Sequence, residues 1–342
     1  MEQYKCCLSE TFIFLIKKFT SCKFIRQIKY KEDKERRLIM LNRKKWFLVI
    51  FSVFVLVGCS SEETHINPSE AVEKEGLTII TSFSILGDIA GEIVGNRGTV
   101  EYLVPIGEEP HEYEPVPSDF QKVSDSDVFY VNGLNLEEWL EKLVANVGEI
   151  PVVAVSDGIT PIMLEGNNEE DPHAWLAIEN VKTYVNNILN DLIERDPSGE
   201  SEYRSNAEQY LKELDGLEAW INEMIESVPN ENRFIVVTEN AFKYFGASYG
   251  FQTEGVWDIN SQEEGTPGQV GRVIDLVNDQ QIPSLFVETT VDKRYMQTIS
   301  LDTGVNIAGE VYTDAVGPEG SGAETYILMM KHNVETFVSG LK

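Results

Sequence analysis

The chain has 342 residues, 42% of them apolar, and five tryptophans, enough hydrophobic material for two domains of ordinary size, so disorder is excluded as its general state. A formal net charge of −29 excludes nucleic acid as a partner, because there is no basic footprint to neutralise phosphates. The charge is uneven: residues 1–59 hold 13 Lys and Arg against 5 Asp and Glu, which leaves 15 basic and 52 acidic residues in the remainder, a body that repels anions and concentrates cations.

The cysteines are Cys6, Cys7, Cys22 and Cys59, so the body after residue 59 has neither a disulfide nor a thiolate metal site. Lys44 and Lys45 precede about a dozen apolar residues that end in Gly58 and Cys59. That run is short for a bilayer span and reads as a signal-peptide core, with an uncleaved anchor helix as the alternative. Leu56-Val57-Gly58-Cys59 resembles a bacterial lipobox, which implies that Cys59 is lipidated and becomes the mature N-terminus. Two or more acyl chains would hold the body stably at a membrane surface. Met40 makes a better signal-peptide start than Met1, so 40–59 is read as the signal peptide. Residues 1–39 are read as an upstream mis-start or an extra N-terminal segment. The polar stretch 60–76, which includes His65, is read as a flexible tether.

The next hundred residues alternate between two periodicities. Leu77–Thr81 is β-rich, Ile85–Val94 has helical spacing stopped by Gly95, and 99–106 reads as a strand. A capped helix from Ser118, a buried strand at Val128–Val131, a helix at 136–144 and a strand at Val152–Val155 follow, as a parallel α/β sheet requires. From Glu179 the pattern is helical alone, broken at Asp196-Pro197-Ser198-Gly199 and resumed from Glu200 to Val228. The second helix reads as a rigid strut between two lobes in preference to a local hairpin. The α/β rhythm returns with strands at Phe234–Thr238, Ser284–Glu288 and 307–312, and helices at 240–249, 269–280, 295–301 and 323–341. The expected architecture is therefore an N-terminal α/β lobe (77–178), a helical region (179–232) and a C-terminal α/β lobe (233–342), each lobe with a mainly parallel sheet. A cleft between them would be lined by loops at the strand ends.

Two of the four histidines sit in the same stiffened setting. His111 lies between Pro110 and Pro115 after an apolar strand, and His173 follows Asp171-Pro172 ahead of a helix. Alone, each would be a solvated loop histidine; together they suggest a metal site lacking two partners. Glu239 and Asp314, just after strands of the second lobe, complete a His₂-Glu-Asp set.

Pro110-His111-Glu112-Tyr113-Glu114-Pro115 resembles the first-histidine motif of the cluster A-I (cluster 9) metal-binding lipoproteins, the substrate-binding proteins of bacterial ABC transporters for manganese, zinc or iron. Asp171–Leu176 resembles their second-histidine motif, Val237–Phe245 their third-ligand segment, Phe286–Asp292 a segment ahead of the last ligand, and Tyr312-Thr313-Asp314 their final aspartate. The resemblance runs from about Leu77 to Leu341 in order, and it implies two α/β lobes tied by one rigid backbone helix with the metal in the cleft. It also implies ligation by His111, His173, Glu239 and Asp314, delivery to a membrane permease, and an extracytoplasmic, lipid-anchored, monomeric protein. Zinc members commonly carry histidine at the third position and a His-rich loop between the first two motifs. This chain has Glu239, and no histidine between His111 and His173. Two carboxylates supply hard oxygens and a −2 charge, which favours Mn²⁺, then Fe²⁺, over Zn²⁺.

Glu288, at a strand end, is a candidate acceptor behind a ligand imidazole, with a purely structural role as the alternative. Trp175, Trp220 and Trp257 are expected to pack, and Glu263, Glu264 and Asp292 to be loop or cap residues. An enzyme, such as a secreted metallohydrolase, would need an open metal position and a base, and both histidines are already committed as ligands. A surface adhesin is the other alternative for an anchored acidic chain, although no repeats or adhesive tracts support it.

Overall fold

Leu77–Thr81 forms strand β1, and its β-branched residues are buried from Ile79 onward. Helix α1 (Ser84–Val94) follows, presenting Ile85, Leu86, Ile89, Ala90 and Ile93 to the core at helical spacing. Strand β2 (Gly98–Tyr102), helix α2 (Pro117–Ser124), strand β3 (Val128–Val131), helix α3 (Leu140–Val147) and strand β4 (Val152–Ala154) complete the first lobe. The sheet order is β2-β1-β3-β4, all parallel. All four strands therefore point their C-terminal ends the same way, and the loops carrying functional residues gather on one side. The computed structural model describes residues 76–164, 169–259 and 265–342, all within one unit, Val72–Lys342. The signal peptide, Cys59, most of the tether, His65, Glu263 and Glu264 lie outside the described residues.

Helix α4 (Ile178–Arg195) packs along α5 (Glu200–Ile225), so the hairpin and strut readings both hold locally. At 26 residues α5 is about 39 Å long. It buries Tyr203, Ala207, Tyr210, Leu214, Leu217, Ile221 and Ile225, a stripe with steps of three or four residues. One end of that stripe meets α1 of the first lobe, and the helix also meets the final helix of the second. Its continuity is what ties the two sheets together.

In the second lobe β5 (Phe234–Glu239) leads through a short turn into helix α6 (Lys243–Tyr249), three residues later than the sequence suggests. Strand β6 (Gln252–Trp257), helix α7 (Pro267–Gln280), strand β7 (Leu285–Glu288), helix α8 (Arg294–Thr303), strand β8 (Ile307–Val311) and helix α9 (Tyr326–Leu341) follow. Strand β6 was not expected from the sequence, because polar Gln252, Thr253 and Glu254 and then Gly255 hide its pattern. Gly255 is required there: a side-chain carbon would meet the Asn240 amide nitrogen at 2.6 Å and the Trp257 carbonyl oxygen at 2.8 Å. The pairs β5-β6 and β7-β8 are both parallel. β5 and β7 lie side by side, and the Glu288 side chain bridges them by accepting the Thr238 and Glu239 amides. Among the described residues no helix is long and apolar enough to cross a membrane.

If α5 is the element both lobes rest on, Leu214→Ala, at a fully buried position of its stripe, should destabilise the whole unit by about 2–5 kcal/mol. Urea denaturation should then show one cooperative transition at lower midpoint. A loss confined to one lobe would contradict the strut reading.

Candidate metal centre

His111, His173, Glu239 and Asp314 come together in the cleft, each with one donor atom within 4.8 Å of the others. His173, Glu239 and Asp314 are fully buried, and His111 is 5% exposed. His111 Nε2 and His173 Nε2 are 3.3 Å apart. Glu239 Oε1 stands 3.6 Å from His111 Nε2 and 3.8 Å from His173 Nε2, and Asp314 Oδ1 stands 3.6 Å from His173 Nε2. Four donors about 2.1 Å from a common centre lie roughly 3.4 Å apart in tetrahedral geometry. The observed separations are close to that value, so the four residues could hold one divalent ion.

Each donor is fixed by neighbours that the chain order does not reveal. The His111 loop is held from behind by Trp139, whose Nε1 donates to the Pro110 carbonyl at 2.8 Å, and by the Glu109 carboxylate, which accepts the His111 amide at 3.0 Å. His173 Nδ1 lies 2.9 Å from Asp171 Oδ1, the same oxygen that accepts the His173 amide. This pairing sets the Nδ1-protonated tautomer and turns Nε2 toward the cleft. The His173 loop is seated by Asn132, which donates to the Pro172 carbonyl at 3.0 Å. Asn132 is locked in turn by Tyr184 at 2.5 Å and by buried Glu137, which accepts the Asn132 amide and the Ser82 hydroxyl.

Asp314 Oδ2 accepts hydrogen bonds from the Thr313 hydroxyl at 2.6 Å and the Thr290 hydroxyl at 3.2 Å. Its Oδ1 is buried, makes no hydrogen bond, and faces His173. Such an oxygen is costly unless a cation satisfies it. Trp175 does more than pack: its ring lies 5.3 Å from that of His173, and its Nε1 donates to the Thr313 carbonyl at 2.7 Å, joining the second histidine's loop to the final aspartate's. Trp257 is buried and Trp220 packs on the core, as expected. Asp292 accepts the Arg294 amide at the start of α8.

Glu288 does not stand behind an imidazole. Its carboxylate accepts the Thr238 amide at 3.1 Å and the Glu239 amide at 2.6 Å, so it holds the strand that ends in Glu239. The place behind His173 belongs to Asp171. The reason is topological: Glu288 ends the strand beside Glu239, whereas Asp171 is two residues from its histidine and bonds it locally.

Burial dominates the electrostatics. It lowers the His111 pKa well below the usual histidine range, helped by nearby His173, and so keeps the imidazole neutral and ready to ligate. Burial likewise raises Asp314, against the pull of His173 and the two threonine hydroxyls, and raises Glu288 to about 7, against the amides it accepts. At Asp171 burial also pushes upward, but His173 and Lys243 outweigh it and the net shift is downward, keeping that carboxylate ionised.

The chain matches the family model of zinc-uptake complex component A, periplasmic (ZnuA), over residues 79–340. It is 58% identical over 295 residues to the manganese-binding lipoprotein MntA of Halalkalibacterium halodurans, covering 86% of this chain and 97% of that one. It is 40% identical over 305 residues to the manganese ABC transporter substrate-binding lipoprotein PsaA of Streptococcus anginosus, with the same coverage. Among solved structures it is similar to the Mn-bound periplasmic metal-binding protein of Candidatus Liberibacter asiaticus, with a TM-score of 0.71 at 28% identity over 77% of this chain and 99% of that one. It is also similar to the periplasmic zinc-binding protein TroA of Treponema pallidum, with a TM-score of 0.74 at 26% identity over 78% and 99%. Two parallel-sheet lobes, a spanning helix and a His₂-Glu-Asp cluster thus accompany a family match over most of the chain, and the protein belongs to the ZnuA family of ABC-transporter substrate-binding proteins.

Proposed function

We propose that this chain is an extracytoplasmic substrate-binding lipoprotein that captures Mn²⁺ in its interlobe cleft and delivers it to an ABC-transporter permease. The observation that carries the reading is the convergence of two imidazoles and two carboxylates in one buried cluster, with Glu239 at the third position. Two carboxylates neutralise a divalent ion, and their oxygens can raise coordination above four, which suits Mn²⁺ better than the closed nitrogen- and sulfur-rich sites that Zn²⁺ prefers. The names of the manganese-binding relatives support the same metal. Fe²⁺ is the next candidate, and Zn²⁺ competes by the Irving–Williams order. The protein is a carrier and not an enzyme: all four donors are committed to the cargo, and the relatives are named as substrate-binding proteins.

In this reading His111, His173, Glu239 and Asp314 hold the ion. Asp171 orients His173, Glu288 aligns the strand end that carries Glu239, and the Thr290 and Thr313 hydroxyls hold one Asp314 oxygen so that the other faces the ion. The body acts as a monomer tethered through lipidated Cys59, with the permease as its partner.

Alanine at each of the four donors should raise the Mn²⁺ dissociation constant by at least about tenfold in calorimetric titration, since an incomplete shell leaves the ion undercoordinated. Wild-type affinity in any three of the four variants would remove the assignment.

Glu239→His tests the choice of metal. It replaces an oxygen donor with nitrogen and lowers the site's charge from −2 to −1. Mn²⁺ should lose more than Zn²⁺, which settles readily into His₃Asp coordination. The ratio of the Mn²⁺ to the Zn²⁺ dissociation constant, measured by competition at one pH, should therefore rise; a constant or falling ratio would mean that Glu239 does not set the preference.

Anchoring is tested separately. Cys59→Ala should release the protein into the medium or leave it unprocessed, and mass spectrometry finding an unmodified Cys59 in membrane-bound wild type would refute lipidation.

A further inference from the structure

Lys243 occupies the first turn of α6, four residues after Glu239, on the second lobe. Its ammonium has three partners. It donates to the Asn240 carbonyl of its own turn at 2.7 Å and lies 3.1 Å from Asp258 Oδ1, also on its own lobe. The third partner is across the cleft: Asp171 Oδ2, again at 3.1 Å. Asp171 is fully buried and uses its other oxygen to hold His173. Oδ2 accepts no hydrogen bond, and the Lys243 ammonium 3.1 Å away is the counter-charge it meets. The neighbouring Tyr244 grips the same loop through neutral contacts, donating to the Asp171 carbonyl at 2.8 Å and accepting the Ile162 amide at 3.0 Å.

We propose that Lys243 is an interlobe latch: its ion pair with Asp171 holds the lobes shut around the ion, and its second carboxylate, Asp258, competes for the same ammonium and so sets how fast the ion is released. The two carboxylates differ in the way this requires. Asp171 belongs to the far lobe and to the support of His173, so breaking its pair both frees the lobes to part and leaves an uncompensated buried charge beside a donor histidine. The Asp258 side chain is 46% exposed and sits on the same lobe as Lys243, so its pair survives when the lobes separate. An open form therefore keeps one arm of the ammonium satisfied, which lowers the cost of opening. Lys243 pairs with Asp171, which holds His173, and is not itself proposed as a ligand. It is a positioning residue acting through Asp171.

The inference rests on the proposed Mn²⁺-binding function, and the test keeps the two apart. Full-length wild type, Lys243→Met, Lys243→Arg and Asp258→Asn are loaded with Mn²⁺ and mixed with excess chelator, and release is followed by stopped flow. Wild type that holds no Mn²⁺ would defeat the functional reading itself. With wild type loaded, Lys243→Met should release Mn²⁺ at least about tenfold faster, and Lys243→Arg should restore most of the slow release. Asp258→Asn should slow release by roughly two- to fivefold, the scale of an exposed ion pair. This opposite sign is the discriminating result, because a variant that merely weakened the fold would not hold the ion longer. Unchanged release in Lys243→Met, or unchanged or faster release in Asp258→Asn, would overturn the latch even if Mn²⁺ binding is intact.

Discussion

Everything in the site follows from placing two carboxylates and two imidazoles, nearly or wholly out of water, against one another across a cleft. Buried charge without compensation is expensive, and two acidic groups beside each other compound the cost. The protein answers in two ways. Burial keeps the His111 imidazole neutral and moves Asp314 upward, which softens the repulsion between the two carboxylates. The remaining deficit is what a divalent cation removes, so the energetic penalty of the assembled cleft is also the source of its affinity.

Such a cluster is useful only if its geometry is held from outside. Asp171 fixes His173 through a ring nitrogen, the two threonine hydroxyls hold one oxygen of Asp314, and Glu288 gathers the last two amides of the strand that delivers Glu239. In the second lobe this last contact also replaces ladder hydrogen bonds between β5 and β7. A single buried side chain thus joins two strand pairs and positions a donor. Trp175 performs the equivalent service between lobes, its ring tilted against that of His173 while its Nε1 bonds the carbonyl next to Asp314.

The lobes meet through contacts of different character. Helix α5 offers a continuous apolar stripe to both. The cleft contacts of Lys243, Tyr244 and Trp175 are polar and local. Most of the buried apolar side chains of both lobes form one continuous cluster around that spine, and the polar contacts lie at the cleft beside it.

Much of this was legible in the chain. Proline-flanked His111 and His173, and carboxylates at or just beyond the ends of β5 and β8, marked the four residues that the fold brings together, because loops at the ends of parallel strands converge by topology. The stripe of α5 identified the spine for the same reason that any amphipathic helix is legible: burial of one face imposes a period. Strand β6 stayed hidden, since a polar run interrupted by Gly255 carries no such period, and the need for glycine there comes from the Asn240 backbone folding over it. The partners of the donors were likewise decided only by the tertiary structure. Whether Glu288 faces an imidazole or an amide, whether Trp175 reaches Thr313, and whether Lys243 pairs across the cleft depend on distances between segments tens of residues apart. Periodicity and spacing record which face of an element is buried; they do not record what a buried polar group meets.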